Sequence, residues 1–232
     1  MIWDFTALDI ETTGLEAKRD RIIEVGAVRV RNREITHCFN QVVNPGRKLE
    51  ERIVQLTGIT DEELSKAPYI EEVLPGLLDF IGEDVLIGHR IMFDYSFVKR
   101  AACNQGLTFE KRGIDTLKIA RKFLPCLESK RLTDLCQYYG ILYDAHRAGN
   151  DARAAAQLYL KLAENFPIEE DFEPEELIYR VKKESPATQK QKERLYRMIN
   201  QHKLIINQDI DKLTRNEADR MADKIISRYG RI

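Results

Sequence analysis

Residues 5–14, FTALDIETTG, read as a buried strand and the turn that ends it, with two carboxylates on one face of the strand. Side chains alternate along a strand, so Asp9 and Glu11 stand side by side, about 7 Å apart along the backbone, with Ile10 facing the other way. Like charges so placed repel, and in an apolar setting the repulsion adds to the desolvation of each group unless a cation or water compensates. An edge strand with one wet face would hold such a pair without any chemistry. The context argues for a central strand instead. Leu8 and Ile10 occupy the opposite face, Trp3, Phe5 and Ala7 precede the acids on their own face, and Thr12-Thr13-Gly14 closes the run as a turn. Something positive therefore belongs at the mouth of this strand.

The rest of the chain supplies a setting for it. IIEVGAVRVRN (22–32) and ITHCFNQVVNP (35–45) read as two further strands, joined by a turn at Asn32-Arg33, which makes a meander with the first. A helix start follows at Thr60-Asp61-Glu62-Glu63, then an amphipathic helix over 70–81 and a short buried strand, VLIGH, over 85–89. Phe93, Phe97 and Ala101 recur at helical spacing, and Gly106 would end that helix. Further helices are expected over 116–124, 132–139 and 151–165. A meander followed by alternating helices and short strands predicts an α/β fold, a mixed sheet covered by helices.

At 232 residues the chain allows one core of roughly 150–180 residues plus a small appendage. Prolines and an acidic cluster around 169–176 break the helical pattern that ends near Phe166. That break predicts a first domain over 1–166, an acidic linker over 167–186 and a small basic helical module over 187–232. Residues 185–232 hold 11 Lys and Arg against 6 Asp and Glu, so the formal charge of −1 hides a basic tail of +5 and a body of −6. Within the tail, Leu195, Met198 and Ile199 form one apolar stripe, and Ala218, Met221, Ala222, Ile225 and Ile226 another. These two would bury each other in a helical hairpin, with Thr214 and Glu217 at capping-box spacing. No apolar stretch approaches the roughly 20 residues that span a bilayer, and MIWDFTALD lacks the regions of a signal peptide, so a cytoplasmic protein with no membrane partner is expected. Cys38, Cys103, Cys126 and Cys136 lack CxxC spacing, which points to neither a disulfide nor zinc.

Two more acids and a histidine complete the pattern. Asp94 follows the strand ending at Ile87-Gly88-His89, at a helix start, where α/β folds place ligand-binding groups. Asp151 opens the last helix of the body, five residues after His146 in HRAGND. Each of these acids alone would be unremarked in the first turn of a helix, where the macrodipole favours it. Their order and spacing together resemble the DEDDh family of 3′→5′ exonucleases, including the proofreading subunits of bacterial replicative polymerases. The motifs appear as ALDIETTGL (7–15), GHRIMFDYSFV (88–98) and HRAGNDARA (146–154), with matches between them at RIIEVGAV, TGIT and IDTLKIAR.

The resemblance spans about residues 3–166 and implies a ribonuclease-H-like fold. It makes Asp9, Glu11, Asp94 and Asp151 the acids that bind two divalent ions, Mg²⁺ or Mn²⁺, which suits hard cations that prefer oxygen ligands. It further implies that Asp9 lies between the ions, that Glu11 and Asp151 serve mainly the ion near the attacking water, and that His146 takes the proton from that water, a role suited to imidazole. Thr12, Thr13 and Gly14 would hold the terminal nucleotide, and Leu15, Ile59 and Phe97 are candidates to pack against its bases. The expected activity is release of nucleoside 5′-monophosphates from single-stranded or frayed DNA ends. An exoribonuclease trimming RNA 3′ ends and a catalytically silent nucleic-acid-binding subunit are the alternatives. A DNA polymerase or another replication protein is a candidate partner for the C-terminal module. One departure stands out: Arg90 follows the histidine of the second motif, where family members commonly carry Asn.

Overall fold

The computed structural model of the protein describes residues 1–142, 144–206 and 208–230. Arg231, counted in the basic tail, lies outside them. Contacts divide the chain into two units: residues 1–45 with 49–181, and residues 46–48 with 182–232.

The first unit is built on six strands, β1 (Phe5–Thr12), β2 (Ile22–Arg31), β3 (Glu34–Val42), β4 (Leu86–Gly88), β5 (Arg112–Asp115) and β6 (Glu175–Glu176), in the order β3-β2-β1-β4-β5-β6. The first three form the antiparallel meander; β4 and β5 run parallel to β1, and β6 is antiparallel to β5. β1 is thus central, with Glu11 opposite Glu24 of β2 and a bulge immediately beyond, between Glu11 and Thr12. The turn between β2 and β3 takes φ of 50° and 69° at Asn32 and Arg33, the left-handed pair that suits a tight hairpin. β5 and β6 are too short for their periodicity to be read from sequence.

The helices of this unit are α1 (Glu51–Thr57), α2 (Asp61–Ser65), α3 (Ile70–Ile81), α4 (Met92–Gln105), α5 (Thr116–Phe123), α6 (Leu132–Tyr139) and α7 (Ala148–Asn165). Local signals set several boundaries. Thr60 caps α2 by accepting from the Glu63 amide at 3.2 Å, and Gly106 ends α4 at φ 75°. The sheet separates two cores. On one face Leu8, Ile10, Val25 and Ala27 pack with Leu74 and Leu77 of α3 and Tyr95 and Val98 of α4. On the other, Phe5, Ala7, Val28 and Ile87 pack with Ala152, Ala156 and Tyr159 of α7, and with Phe172 from a single 3-10 turn at Glu169–Phe172. Alternation along β1 places Asp9 and Glu11 on the α7 face, continuing the line of Phe5 and Ala7.

The second unit holds α8 (Gln189–Gln201) and α9 (Arg215–Tyr229), each opened by a capping box, Thr188 with Gln191 and Thr214 with Glu217. Leu195 and Met198 close against Ala218, Ala222 and Ile225 as the apolar stripes predict. Gln191 bonds Asp219 at 2.7 Å near the helix starts, and the rings of His202 and Tyr229 meet 5.6 Å apart at their ends, so the two helices bury each other as expected but point the same way, not antiparallel as in the hairpin expected from the sequence. The connecting segment, with its 3-10 turn at Ile210–Lys212, carries the chain back between them.

Candidate active site

The carboxylates of β1 lie between the first turns of two helices. Asp94, in the first turn of α4, is 3% exposed, and its Oδ1 accepts the Ile10 amide at 3.1 Å, which ties α4 to the strand between the paired acids. Asp151, in the first turn of α7, is 8% exposed. Its Oδ2 accepts the backbone amide of His146 at 3.2 Å, across a residue whose φ is 68°. Ligand atoms of Glu11, His146 and Asp151 all lie within 4.8 Å of one another. His146 itself is exposed on the rim.

α7 begins at Ala148, three residues before the start expected at Asp151. No side chain of the local sequence caps it, and the missing acceptor comes from another strand. Glu24 of β2, 0% exposed in an apolar run, takes the Ala148 amide on Oε2 at 2.9 Å. It also pairs with Arg147, whose Nη2 reaches Oε1 at 2.7 Å and whose Nε donates at 3.1 and 3.2 Å. Arg147 in turn approaches Glu63 of α2 at 3.7 Å. Gly26 permits the close seating: a Cβ there would lie 2.1 Å from the carbonyl carbon of Ala148. Glu24 belongs to none of the sequence motifs; its signal in IIEVGAV is its isolation among apolar residues, because a carboxylate buried there requires a partner.

Charge crowding dominates the electrostatics. Burial, and then the charges of Asp94, Asp151, Glu11 and Glu24, hold the Asp9 carboxyl well above the usual carboxylate range. Glu11 is pushed up to about 7 by burial, then by Asp151 and Glu24, against a lowering by Arg147. Burial also raises Asp94, opposed by its bond from Ile10 and by its own amide. Asp9, Glu11 and Asp94, each held above the usual carboxylate range and crowded by Asp151, form with it a donor set suited to hard divalent cations, which bind oxygen ligands and discharge the repulsion, while Arg147 is turned onto Glu24.

The remaining sequence-predicted positions divide. Thr12, the last residue of β1, and Thr13 after it are buried, with the Thr12 hydroxyl on the Gly14 carbonyl at 2.6 Å and Thr13 accepting the Arg21 amide at 3.0 Å. Gly14 abuts the Asp20 carboxylate, with no room for a Cβ. Leu15 is 80% exposed beside this turn. Ile59 is fully buried with Ile23, Ile53 and Leu64, and Phe97 lies in the core against Phe93, so neither offers a free surface. Arg90 sits at φ 79° with its amide on Asp115 Oδ1 at 2.8 Å and its side chain exposed. His89 bridges Thr116 and the Lys130 carbonyl, a structural tie between β4 and the loop before α6.

The chain is similar to known proteins in sequence and in fold. The exonuclease family model matches residues 6–159. The chain is 36% identical over 162 residues to the DNA polymerase III subunit epsilon of Aquifex aeolicus, covering 69% of this chain and 80% of that one. It is 41% identical over 162 residues to the DNA polymerase III PolC-type of Caldanaerobacter subterraneus subsp. tengcongensis, of which it spans 12%. Among solved structures, exonuclease X in complex with 5′-overhanging duplex DNA superposes with a TM-score of 0.59 at 23% identity, over 71% of this chain and 93% of that one. The zinc-bound E. coli exonuclease I complex with single-stranded DNA gives 0.66 at 18% identity, over 74% and 43%. Those two likenesses bear on the fold, which is the helix-flanked mixed sheet expected, and the sequence match carries the assignment: the chain belongs to the exonuclease family.

Proposed function

We propose that the protein is a metal-dependent 3′→5′ exonuclease that releases nucleoside 5′-monophosphates from single-stranded or frayed DNA ends, in proofreading or repair. The observation that carries this reading is the convergence of Asp9 and Glu11 on β1 with Asp94, His146 and Asp151 from the first turns and approaches of two helices. Asp9, Glu11, Asp94 and Asp151 would hold two divalent ions, Mg²⁺ or Mn²⁺, which when bound supply charge stabilisation to the attacking and leaving oxygens of the phosphodiester. His146, exposed and close to Glu11 and Asp151, accepts the proton of the attacking water. The turn at Thr12, Thr13 and Gly14 receives the terminal sugar and phosphate, and Leu15 packs against the terminal base. The basic second unit engages a longer strand or a replication protein, in the cytoplasm. Among the described residues no helix is long and apolar enough to cross a membrane.

The test is nucleotide release from 3′-labelled and 5′-labelled DNA and RNA oligonucleotides with Mg²⁺, with Mn²⁺ and in chelator. The expected result is labelled mononucleotide at once from 3′-labelled DNA, a descending ladder from 5′-labelled DNA, and nothing in chelator. Mononucleotide first from the 5′ label would refute the polarity. Faster release from RNA would make the protein an exoribonuclease.

A further inference from the structure

The four motif acids do not account for the most deeply buried carboxylate near them. Glu24 stands opposite Glu11 in the β1–β2 register and is fully buried, yet it belongs to none of the three motifs. Its oxygens take the Arg147 guanidinium through two nitrogens and the first amide of α7 besides. A carboxylate fully buried in an apolar strand is costly to desolvate even when a half-exposed arginine answers it, and an apolar side chain of similar volume would avoid that cost, so its presence here points to a use. The use is visible in what the pair touches. Arg147 lies between His146 and Ala148 in sequence, its charge acts on Glu11, and α7 rests on the bare backbone of Gly26 beside it. His146 meanwhile holds a left-handed φ that a non-glycine residue adopts only when its neighbours are fixed.

We propose that Glu24 is a positioning residue with two duties: it seats Arg147 and the first turn of α7 so that His146 and Asp151 meet Glu11, and it keeps the guanidinium off the cation-binding carboxylates. The bidentate fork serves both, because it fixes the orientation of the arginine as well as its charge. Released from Glu24, Arg147 would find Glu11, the cross-strand neighbour of its former partner, and would compete with a divalent cation there. The inference rests on the exonuclease reading for the reaction, but its cation arm does not depend on turnover.

Three variants test it in the full chain: Glu24→Gln, which keeps shape and an acceptor for the Ala148 amide but loses the charge; Glu24→Gln with Arg147→Met, which removes the guanidinium as well; and Glu24→Asp, which keeps the charge and shortens the reach. Mn²⁺ binding is read directly from the spectroscopic signal of the free ion, and kcat and KM from mononucleotide release. Glu24→Gln should weaken Mn²⁺ binding and lower kcat at saturating metal, each by about 10- to 100-fold, with KM for a short single strand nearly unchanged. The double variant should regain Mn²⁺ binding to within about threefold of wild type while kcat stays low, and Glu24→Asp should bind Mn²⁺ normally but turn over about tenfold more slowly. Mn²⁺ binding equally weak in Glu24→Gln and the double variant, or wild-type kcat in Glu24→Asp, would overturn the proposal. If Glu24→Gln fails to melt cooperatively, the other two decide: Mn²⁺ binding more than about tenfold weaker than wild type in the double variant, or wild-type kcat in Glu24→Asp, overturns the proposal. A wild-type protein that binds Mn²⁺ as expected but releases no nucleotide would sink the exonuclease reading and leave the cation arm standing.

Discussion

Neutralising one site carboxylate should stabilise the metal-free protein, by an amount that depends on pH. Glu11 carries an ordinary value of 4.5 and is pushed up to about 7 in the fold by burial and by Asp151 and Glu24. Below 4.5 the group is protonated folded or unfolded and costs nothing. As pH rises towards 7 the unfolded chain ionises first, and stability is lost until the folded group ionises too. The full difference is about 3 kcal/mol above pH 8 and about 1 kcal/mol at pH 5. Glu11→Gln removes this cost, and because Glu11 also raises Asp9 and Asp94, it relieves those as well. For a unit of this size the pH 8 gain corresponds to a melting temperature about 6–12 °C above wild type in chelator, falling to about 2–4 °C at pH 5. Saturating Mn²⁺ should narrow or reverse the order, since wild type gains more from ligand binding than a variant with one fewer carboxylate. The assay is thermal melting of both proteins at pH 5 and 8, with chelator and with Mn²⁺. A variant that melts at or below wild type in chelator at pH 8, or a gap that does not shrink at pH 5, would refute the crowding argument.

Other substitutions separate binding, proton transfer and architecture. Asp9→Asn should abolish nucleotide release while melting at or above wild type in chelator; retained activity would exclude Asp9 from the site. His146→Gln should lower kcat by about a hundredfold or more with Mn²⁺ binding little changed, and an equal loss of Mn²⁺ binding would make His146 a ligand instead. Gly26→Ala should displace α7 from β2, because its Cβ has no room beside Ala148; wild-type activity together with wild-type melting would contradict the close seating. A chain ending at Val181 should melt cooperatively and cleave short oligonucleotides. One ending at Phe166 loses the buried side chains of Phe172 and Leu177, each a loss of about 2–5 kcal/mol, and should melt far lower. On long single strands the chain ending at Val181 should bind more weakly and with a shallower salt dependence than the full chain, as loss of the basic tail implies.

The sequence by itself determined the elements whose signals are local. The period-2 runs of β1 to β3, the 3.6-residue spacing of α3 and α4, the glycine that ends α4 and the capping boxes of α8 and α9 all act within a few residues of where they are written. The four acids and His146 could be proposed for the same reason, since each sits in a short motif whose order along the chain is itself informative. Tertiary structure alone decided what depends on residues far apart. The start of α7 is set by a carboxylate on β2, 124 positions away from the amide it accepts, which is why a reading of local caps placed it three residues late. Ile59 and Phe97, candidates by sequence to pack against bases, lie in the core, while Leu15 is left exposed, a difference that nothing in their local sequence marks. β5 and β6 exist because a neighbouring strand supplies their hydrogen bonds, not because of any pattern of their own. Above all, the pairing of Glu11 with Glu24 across β1 and β2, and the arginine that answers it, are properties of strand register. Register brings charges together through hydrogen bonds between strands, and no spacing along a single chain records it.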